Sequence, residues 1–289
     1  MANLKELRSR ISSVGSTMQI TSAMKMVSAA KLSRAQDAIV AMRPYAEKLT
    51  ELLQGLSSTV EDDNLSSPLT EEREVKKVLI VAISSNRGLA GAFNTNIIKK
   101  VKHLDSEVYT NQDVEVLTLG KKANDILKKT MTVFHHDQEI FNDLTFNNSV
   151  EISKKIMKAF EDKHFDKVVI VYNQFKNAAT QFVQAEDFLP LLAKPAENVK
   201  PQQLDYIFEP EQEEILKELI PKSLNIQLFK ALRDSFASEH GARMTAMHKA
   251  TENAQELRDG LKLTYNKARQ AAITNEILEI VAGAEALED

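Results

Sequence analysis

Three parts of the sequence carry side chains that could do chemistry. Ser84-Ser85-Asn86-Arg87-Gly88-Leu89-Ala90-Gly91-Ala92-Phe93-Asn94 follows an apolar run and opens a helical one, which is where phosphate-binding loops sit. It lacks the Lys-Ser/Thr of a Walker A loop, and Gly88 and Gly91 do not make GxGxxG. The favoured reading is a tight strand-to-helix turn, with Arg87 capping or pairing. His135-His136-Asp137 offers metal-ligand types. Adjacent residues on a strand point to opposite faces, so polar surface or loop histidines fit better than one metal site. His240 and His248 lie two helical turns apart with no carboxylate at HExxH spacing, which argues against a zinc protease. No GxSxG, DxDxG or DFG-like set occurs, and the carboxylates are many but unpatterned.

Composition narrows the classes further. With 37 basic and 41 acidic side chains the net charge is -4, so no global basic field exists to hold nucleic acid. The absence of Cys excludes disulfides, thiolate metal sites and cysteine nucleophiles. Aromatics at 6% and no Trp are thin for a base-stacking surface. No run of 18 apolar residues is present to span a bilayer, and MANLKELRSR carries no apolar core of a signal peptide. The expectation is a soluble intracellular protein.

The elements that must position any site are read from proline and periodicity. All seven prolines lie between Pro44 and Pro221, and proline costs ~3 kcal/mol or more inside a helix. Two proline-free ends therefore suggest two long helices around a globular insert. Leu4, Leu7, Ile11, Val14 and Met18 are spaced 3, 4, 3, 4, and the phase returns at Leu32, Ala35, Ile39 and Met42. Between them it falls on polar Thr21, Lys25 and Ser28, while Ile20, Ala23, Met24, Met26, Val27 and Ala30 spread apolar surface around the helix. Such girth predicts burial on several sides. At the other end, Met244, Met247, Ala254, Leu261, Tyr265 and Ala268 form a similar seam, interrupted by Thr251 and Arg258. The phase then moves to Ile273, Ile277, Ile280, Ala284 and Leu287, amid Glu276, Glu279, Glu285, Glu288 and Asp289. Acid at a helix C-terminus opposes the macrodipole by ~0.3–1 kcal/mol per charge, so something outside the chain should hold that end.

A helix from about residue 223 to 287 would be on the order of 100 Å long, against a radius of gyration near ~19 Å for a compact chain of this length. It must project, paired with a shorter N-terminal helix as an antiparallel coiled coil. The competing reading is a helical bundle with turns at Gly241 and Gly260. Residues 57–74 read as a flexible acidic linker. Strands are expected at 75–84, 114–120, 166–175 and 179–189, and helices at 91–104, 121–129 and 148–164. Alternating strands and helices argue for a central Rossmann-like α/β domain over 75–210, between a long N-terminal helix (1–56) and a long C-terminal one (211–289). Residues 1–43 hold seven Lys/Arg against Glu6 and Asp37. That is a solvated face, or a surface for an acidic protein partner.

The chain resembles the gamma-subunit family of F-type ATP synthases, the central shaft of the rotary motor, over essentially its whole length. QITSAMKMVSAAKLSRAQ (19–36) looks like the first shaft signature. ASEHGARMTAMHKATENAQEL (237–257) with YNKARQAAITNEILEIVAGAEAL (265–287) is the strongest, and SSNRGLAGAFN and VYNQF (171–175) match internal motifs. Asn86 and Ala90 stand where the family usually has Asp and Cys, and Arg258 where an apolar residue is more usual. The cysteine-bearing insert of chloroplast relatives is missing.

The resemblance implies a non-catalytic shaft inside a ring of three alpha and three beta subunits. The foot would be fixed with the epsilon subunit to the c-subunit membrane ring, peripheral on the cytoplasmic face of the inner membrane. Proton flow would turn it. It implies that Met24, Lys25 and Met26 face acidic loops of beta, that Arg269 and Gln270 bond to beta, and that Ile273, Ile277, Ile280 and Leu287 form the tip in an apolar sleeve. Arg34, Tyr45, Asp205, Tyr206 and Glu209 would belong to the foot. No cofactor, metal, nucleic acid or membrane insertion is implied. The alternatives are a nucleotide-binding α/β enzyme with coiled-coil arms, and a coiled-coil adaptor.

Overall fold

The computed structural model describes residues 4–57, 67–191 and 212–285. They fall into two compact units, one of Met1–Ser28 with Met244–Asp289 and one of Ala29–Arg243. Helix α1 (Leu4–Ser57) and helix α5 (Gln212–Glu285) each contribute to both.

The larger unit is built on a five-stranded sheet in the order β3-β2-β1-β4-β5. Strands β1 (Lys77–Ile83), β2 (Asp113–Leu119), β3 (Thr132–Asp137) and β4 (Lys167–Phe175) are parallel. Strand β5 (Gln181–Leu189) runs antiparallel to β4. Alternation sorts each strand between two cores. Leu79, Val81, Ile83, Leu117, Leu119, Ile170 and Tyr172 face α4 (Phe146–Glu161) and α5, meeting Ile152, Ile156, Phe160, Leu224 and Leu228. Val78, Ile80, Ala82, Val116 and Val171 face α2 (Phe93–His103) and α3 (Lys121–Leu127), meeting Ile97, Val101 and Leu127. The expected α/β sheet flanked by long terminal helices is what the chain forms.

Three sequence readings change. First, β3 is a strand where none was expected. It is an edge strand with no fully buried residue, so it lacks the apolar run by which the inner strands are read. Second, α5 begins at Gln212, ahead of Pro221, rather than at about residue 223, and like α1 with Pro44 it carries a proline in its interior. Leu216, Ile220 and Leu224 are 4%, 3% and 0% exposed around Pro221. Burying three such side chains at ~1.5–3 kcal/mol each outweighs the local cost of one proline. Third, Gly241 and Gly260 are interior to α5 and mark no turns. A Cβ on Gly241 would stand 3.2 Å from Ala178 Cα and 3.3 Å from its carbonyl oxygen, so this glycine lets the β4–β5 turn approach the helix.

Of the expected linker, residues 58–66 lie outside the described residues. From Ser67 the chain turns, and Leu69, 3% exposed, joins the core beneath α4 and α5.

Candidate partner-binding interface

The turn at residues 84–94 is consumed by the chain itself. Ser84 Oγ accepts the Ala123 N–H at 3.0 Å, and Ser85 Oγ donates to the Arg87 carbonyl at 2.6 Å. Asn94 Oδ1 accepts the Ser85 N–H at 3.0 Å. Asn86 donates to the Gln138 carbonyl at 2.8 Å and accepts the Lys121 N–H at 3.1 Å. Opposite the turn, Gly120 at φ 102° packs so closely that a Cβ would lie 2.3 Å from the Ser84 carbonyl oxygen. Arg87 is held through its carbonyl, which accepts from Ser85 Oγ.

That carbonyl and the one of Gly88 receive Arg243 Nη2 at 3.1 and 3.3 Å, and Arg243 Nη1 pairs with Glu239 at 2.6 Å. Glu239 and Arg243 are 8% and 7% exposed, and burial pushes the Glu239 carboxyl up against the opposing pull of Arg243. Sequence reading passed over this clamp. Its signal was a Glu–Arg pair at i, i+4 in a helix with few other charges nearby.

The histidines do not assemble. His136 Nδ1 is 3.0 Å from Thr118 Oγ1, beneath β2. His135 looks the other way into an open groove of about 420 Å³ lined also by Phe134, Lys155, Lys158, Asp162 and His164. Burial and the neighbouring Lys155 push its imidazole down. Among the described residues no three His, Cys, Asp or Glu side chains converge as a metal site would require.

The smaller unit is where exposed chemistry and geometry meet. In α1 the heptad phase does not shift. Leu7 is buried, and Thr21 (9% exposed) and Ser28 (3%) sit in the seam with the apolar positions. The polar interruptions of the two helices meet each other. Thr21 Oγ1 is 2.8 Å from Thr251 Oγ1, and Lys25 Nζ is 3.3 Å from His248 Nδ1. As 21 rises to 25, 251 falls to 248, so the helices run antiparallel in this unit. Ser28 Oγ is satisfied locally by the Met24 carbonyl at 2.8 Å.

The wide apolar girth is not buried by the chain. Ile20, Met26 and Val27 are 61%, 68% and 58% exposed, so among the described residues the expected burial on several sides is not supplied by this chain itself. Met24 and Lys25 are half-buried. With Thr251 opposite Thr21, the position opposite Leu4 is near Ala268, and from Arg269 to Gly283 every side chain of α5 is exposed. Ile273, Ile277 and Ile280 are 48%, 54% and 67% exposed. The end of α5 outruns its partner, with Glu276 and Glu279 in it and no basic residue in its last turn.

A family model described as ATP synthase matches residues 3–287. The ATP synthase gamma chain of Christiangramia forsetii is 69% identical over 287 residues, covering 99% of both chains. The chain belongs to the ATP synthase gamma-chain family.

Solved structures agree on the fold. A chain in the rotor of Euglena gracilis mitochondrial ATP synthase superposes with a TM-score of 0.67 at 22% identity, covering 93% of this chain and 98% of that one. One from the central stalk and c-ring of the Tetrahymena thermophila enzyme gives 0.59 at 23% identity, covering 80% of this chain and 99% of that one.

In this gamma-family chain, Met24, Lys25 and Met26 lie together on α1, while Arg269 and Gln270 are exposed on α5. His248 pairs with Lys25, and Arg269 is 21 residues further along the helix, roughly 30 Å at 1.5 Å per residue. The two expected contact sets are therefore separate patches. Arg34 and Tyr45 of the expected foot are exposed on α1. Asp205, Tyr206, Glu209 and Leu287 lie outside the described residues. Reading for chemistry missed His248 as a seam residue, because it was weighed only as a metal ligand.

Proposed function

We propose that this chain is the rotary central-stalk subunit of an F-type ATP synthase. In that role it couples proton flow through the membrane ring to ATP synthesis and hydrolysis at beta-subunit sites, and is itself non-catalytic. The observation that carries this reading is the fully exposed end of α5. An apolar, acid-flanked helix beyond Ala268, with no partner in its own unit among the described residues, suits a sleeve supplied by other subunits.

The mechanism requires the shaft to favour one beta conformation over another by differential contact, since a ligand that binds two states equally shifts neither. Two features supply an asymmetric surface. On α1, Lys25 stands beside the exposed Met26 and Val27, a cation within an apolar patch suited to acidic partner loops. On α5, Arg269 and Gln270 offer polar bonds about 30 Å away, followed by Ile273, Ile277 and Ile280 as the turning tip. Arg34, Tyr45, Asp205, Tyr206 and Glu209 form part of the foot that meets the epsilon subunit and the c-ring. No helix among the described residues is long and apolar enough to cross a membrane. We place the foot at the cytoplasmic face, held by protein contacts.

The test is co-purification. The full-length chain, expressed with alpha and beta subunits, should recover both in a three-to-three-to-one complex that hydrolyses ATP. Recovery of the chain alone under those conditions would remove the reading. The turn at 84–94 gives the nucleotide-enzyme reading no support, because its side chains are bonded to the chain's own backbone.

A further inference from the structure

The Lys25–His248 contact fixes more than a distance. An ammonium can only donate, so at 3.3 Å His248 Nδ1 must accept from Lys25 Nζ. The ring proton then resides on Nε2, which lies 3.4 Å from Glu252 Oε1, one helical turn along α5. Lys25, His248 and Glu252 form a chain in which each member orients the next. Lys25 is half-buried, whereas His248 and Glu252 keep 51% and 62% of their side chains exposed. The bond therefore sits at the rim of the seam, where a lysine would otherwise sample many rotamers. An ammonium has three donors, and one held by His248 leaves two for a partner.

We infer that His248 is a positioning residue for Lys25, using one hydrogen bond across the helix pair to hold the ammonium where an acidic surface of the catalytic ring meets it. This rests on the proposed reading of Lys25 as a beta contact. His248 touches no nucleotide and acts only through Lys25. Thr21 and Thr251, one turn away and bonded at 2.8 Å, lock the register that brings the two residues opposite each other. Pre-ordering a flexible cation before it meets its partner reduces the entropy lost on contact.

Two measurements test this, both on the full-length chain. In the isolated chain, nitrogen NMR of the His248 imidazole should report an unprotonated Nδ1 and a protonated Nε2, and Lys25→Ala should change that tautomer balance. A balance that is unmoved by Lys25→Ala overturns the inference without involving any partner. In the assembled complex, ATP-driven proton pumping is compared for Lys25→Ala, His248→Ala, His248→Gln and the double alanine variant. One hydrogen bond corresponds to about a fivefold effect, so His248→Ala should lower pumping about fivefold. His248→Gln, whose amide oxygen can accept from Lys25, should recover to within about twofold. The double variant should be no worse than Lys25→Ala. Independent, multiplying losses, or a Gln variant as impaired as Ala, overturn the positioning role. If Lys25→Ala is impaired and His248→Ala is not, the inference fails while the Lys25 contact stands. If Lys25→Ala itself is harmless, the contact assigned to Lys25 fails first.

Discussion

Single residues here divide into those that hold the fold and those that face outward, and burial tells them apart. His240 is 5% exposed, stacks edge-on against Phe236 at 4.5 Å, and has no hydrogen-bond partner for either ring nitrogen among the described residues. Burial, with Arg243 and Lys31 nearby, pushes its imidazole down to about 4. The folded state keeps His240 neutral where the unfolded chain takes up a proton. Stability from this residue is therefore complete above the unfolded value near ~6.5 and declines as the pH falls toward about 4. The full effect is about 3 kcal/mol at most. Glu239, raised by burial, acts in the opposite direction, so the comparison must isolate one residue. Urea unfolding of wild type and His240→Phe between pH 7 and pH 4.5 should show the wild type losing stability relative to the variant. Parallel curves would refute the assignment. Arg269 is the outward counterpart, exposed and at the point where α5 leaves its partner. Arg269→Ala should leave the melting temperature of the isolated chain unchanged. In the complex it should weaken coupling by the loss of a charge-assisted bond worth ~1.5–3 kcal/mol, and proton pumping at the wild-type level would count against the contact.

At the scale of elements, what the sequence reveals is governed by how apolar an element is. Inner strands β1 and β4 carry continuous apolar runs, Val78–Ile83 and Val168–Tyr172, and β2 is rich in Val and Leu, so all three are legible at once. The edge strand β3 carries two histidines, a threonine and an aspartate among six residues and is not. The heptads of α1 and α5 are legible, but the polar residues inside them look like breaks when each helix is read alone. Their meaning lies in the pairing, because Thr21 finds Thr251 and Lys25 finds His248. No single-helix pattern contains that information. A polar pair in an otherwise apolar seam fixes register at some cost in stability. Each threonine hydroxyl also has a backbone acceptor one turn back, Met18 at 3.1 Å and Met247 at 2.8 Å. Thr251→Val alone should therefore cost only about 1 kcal/mol. The double variant Thr21→Val/Thr251→Val should melt no lower than wild type, since two methyl groups replace a bonded pair of the same shape. Thermal unfolding of wild type, Thr21→Val, Thr251→Val and the double variant checks this. A double variant as unstable as the sum of its singles would mean that the hydroxyl pair does not act as a unit.

For the whole molecule, the sequence carries its function in what it leaves uncovered. The sheet and its two cores account for most of the buried apolar side chains, whereas Ile20, Met26, Val27, Ile273, Ile277, Leu278, Ile280 and Val281 stay between 48% and 68% exposed. Their periodicity was readable as a seam, and the shorter N-terminal helix and acidic end pointed to support from outside the chain, but not to how much of the seam stays uncovered. That depends on where α1 begins relative to α5, which only the pairing register gives. Apolar surface of this extent on a soluble chain marks a place for association. The isolated full-length chain should accordingly self-associate with rising concentration, and the site should be the end of α5. Replacing Ile273, Ile277 and Ile280 together by Ser removes apolar side chains that are 48–67% exposed and, among the described residues, face no partner helix. The melting temperature should then shift by no more than about 5 °C, because surface changes of this kind fall within roughly 0.5 kcal/mol each, or about 1.5 kcal/mol for the three. Sedimentation should shift from concentration-dependent association to a single monomeric species. Restored solubility with an unchanged melt would locate the association surface at the tip. A lowered melt would show that these isoleucines are buried against the rest of the chain in solution, and the sleeve would lose its main physical support.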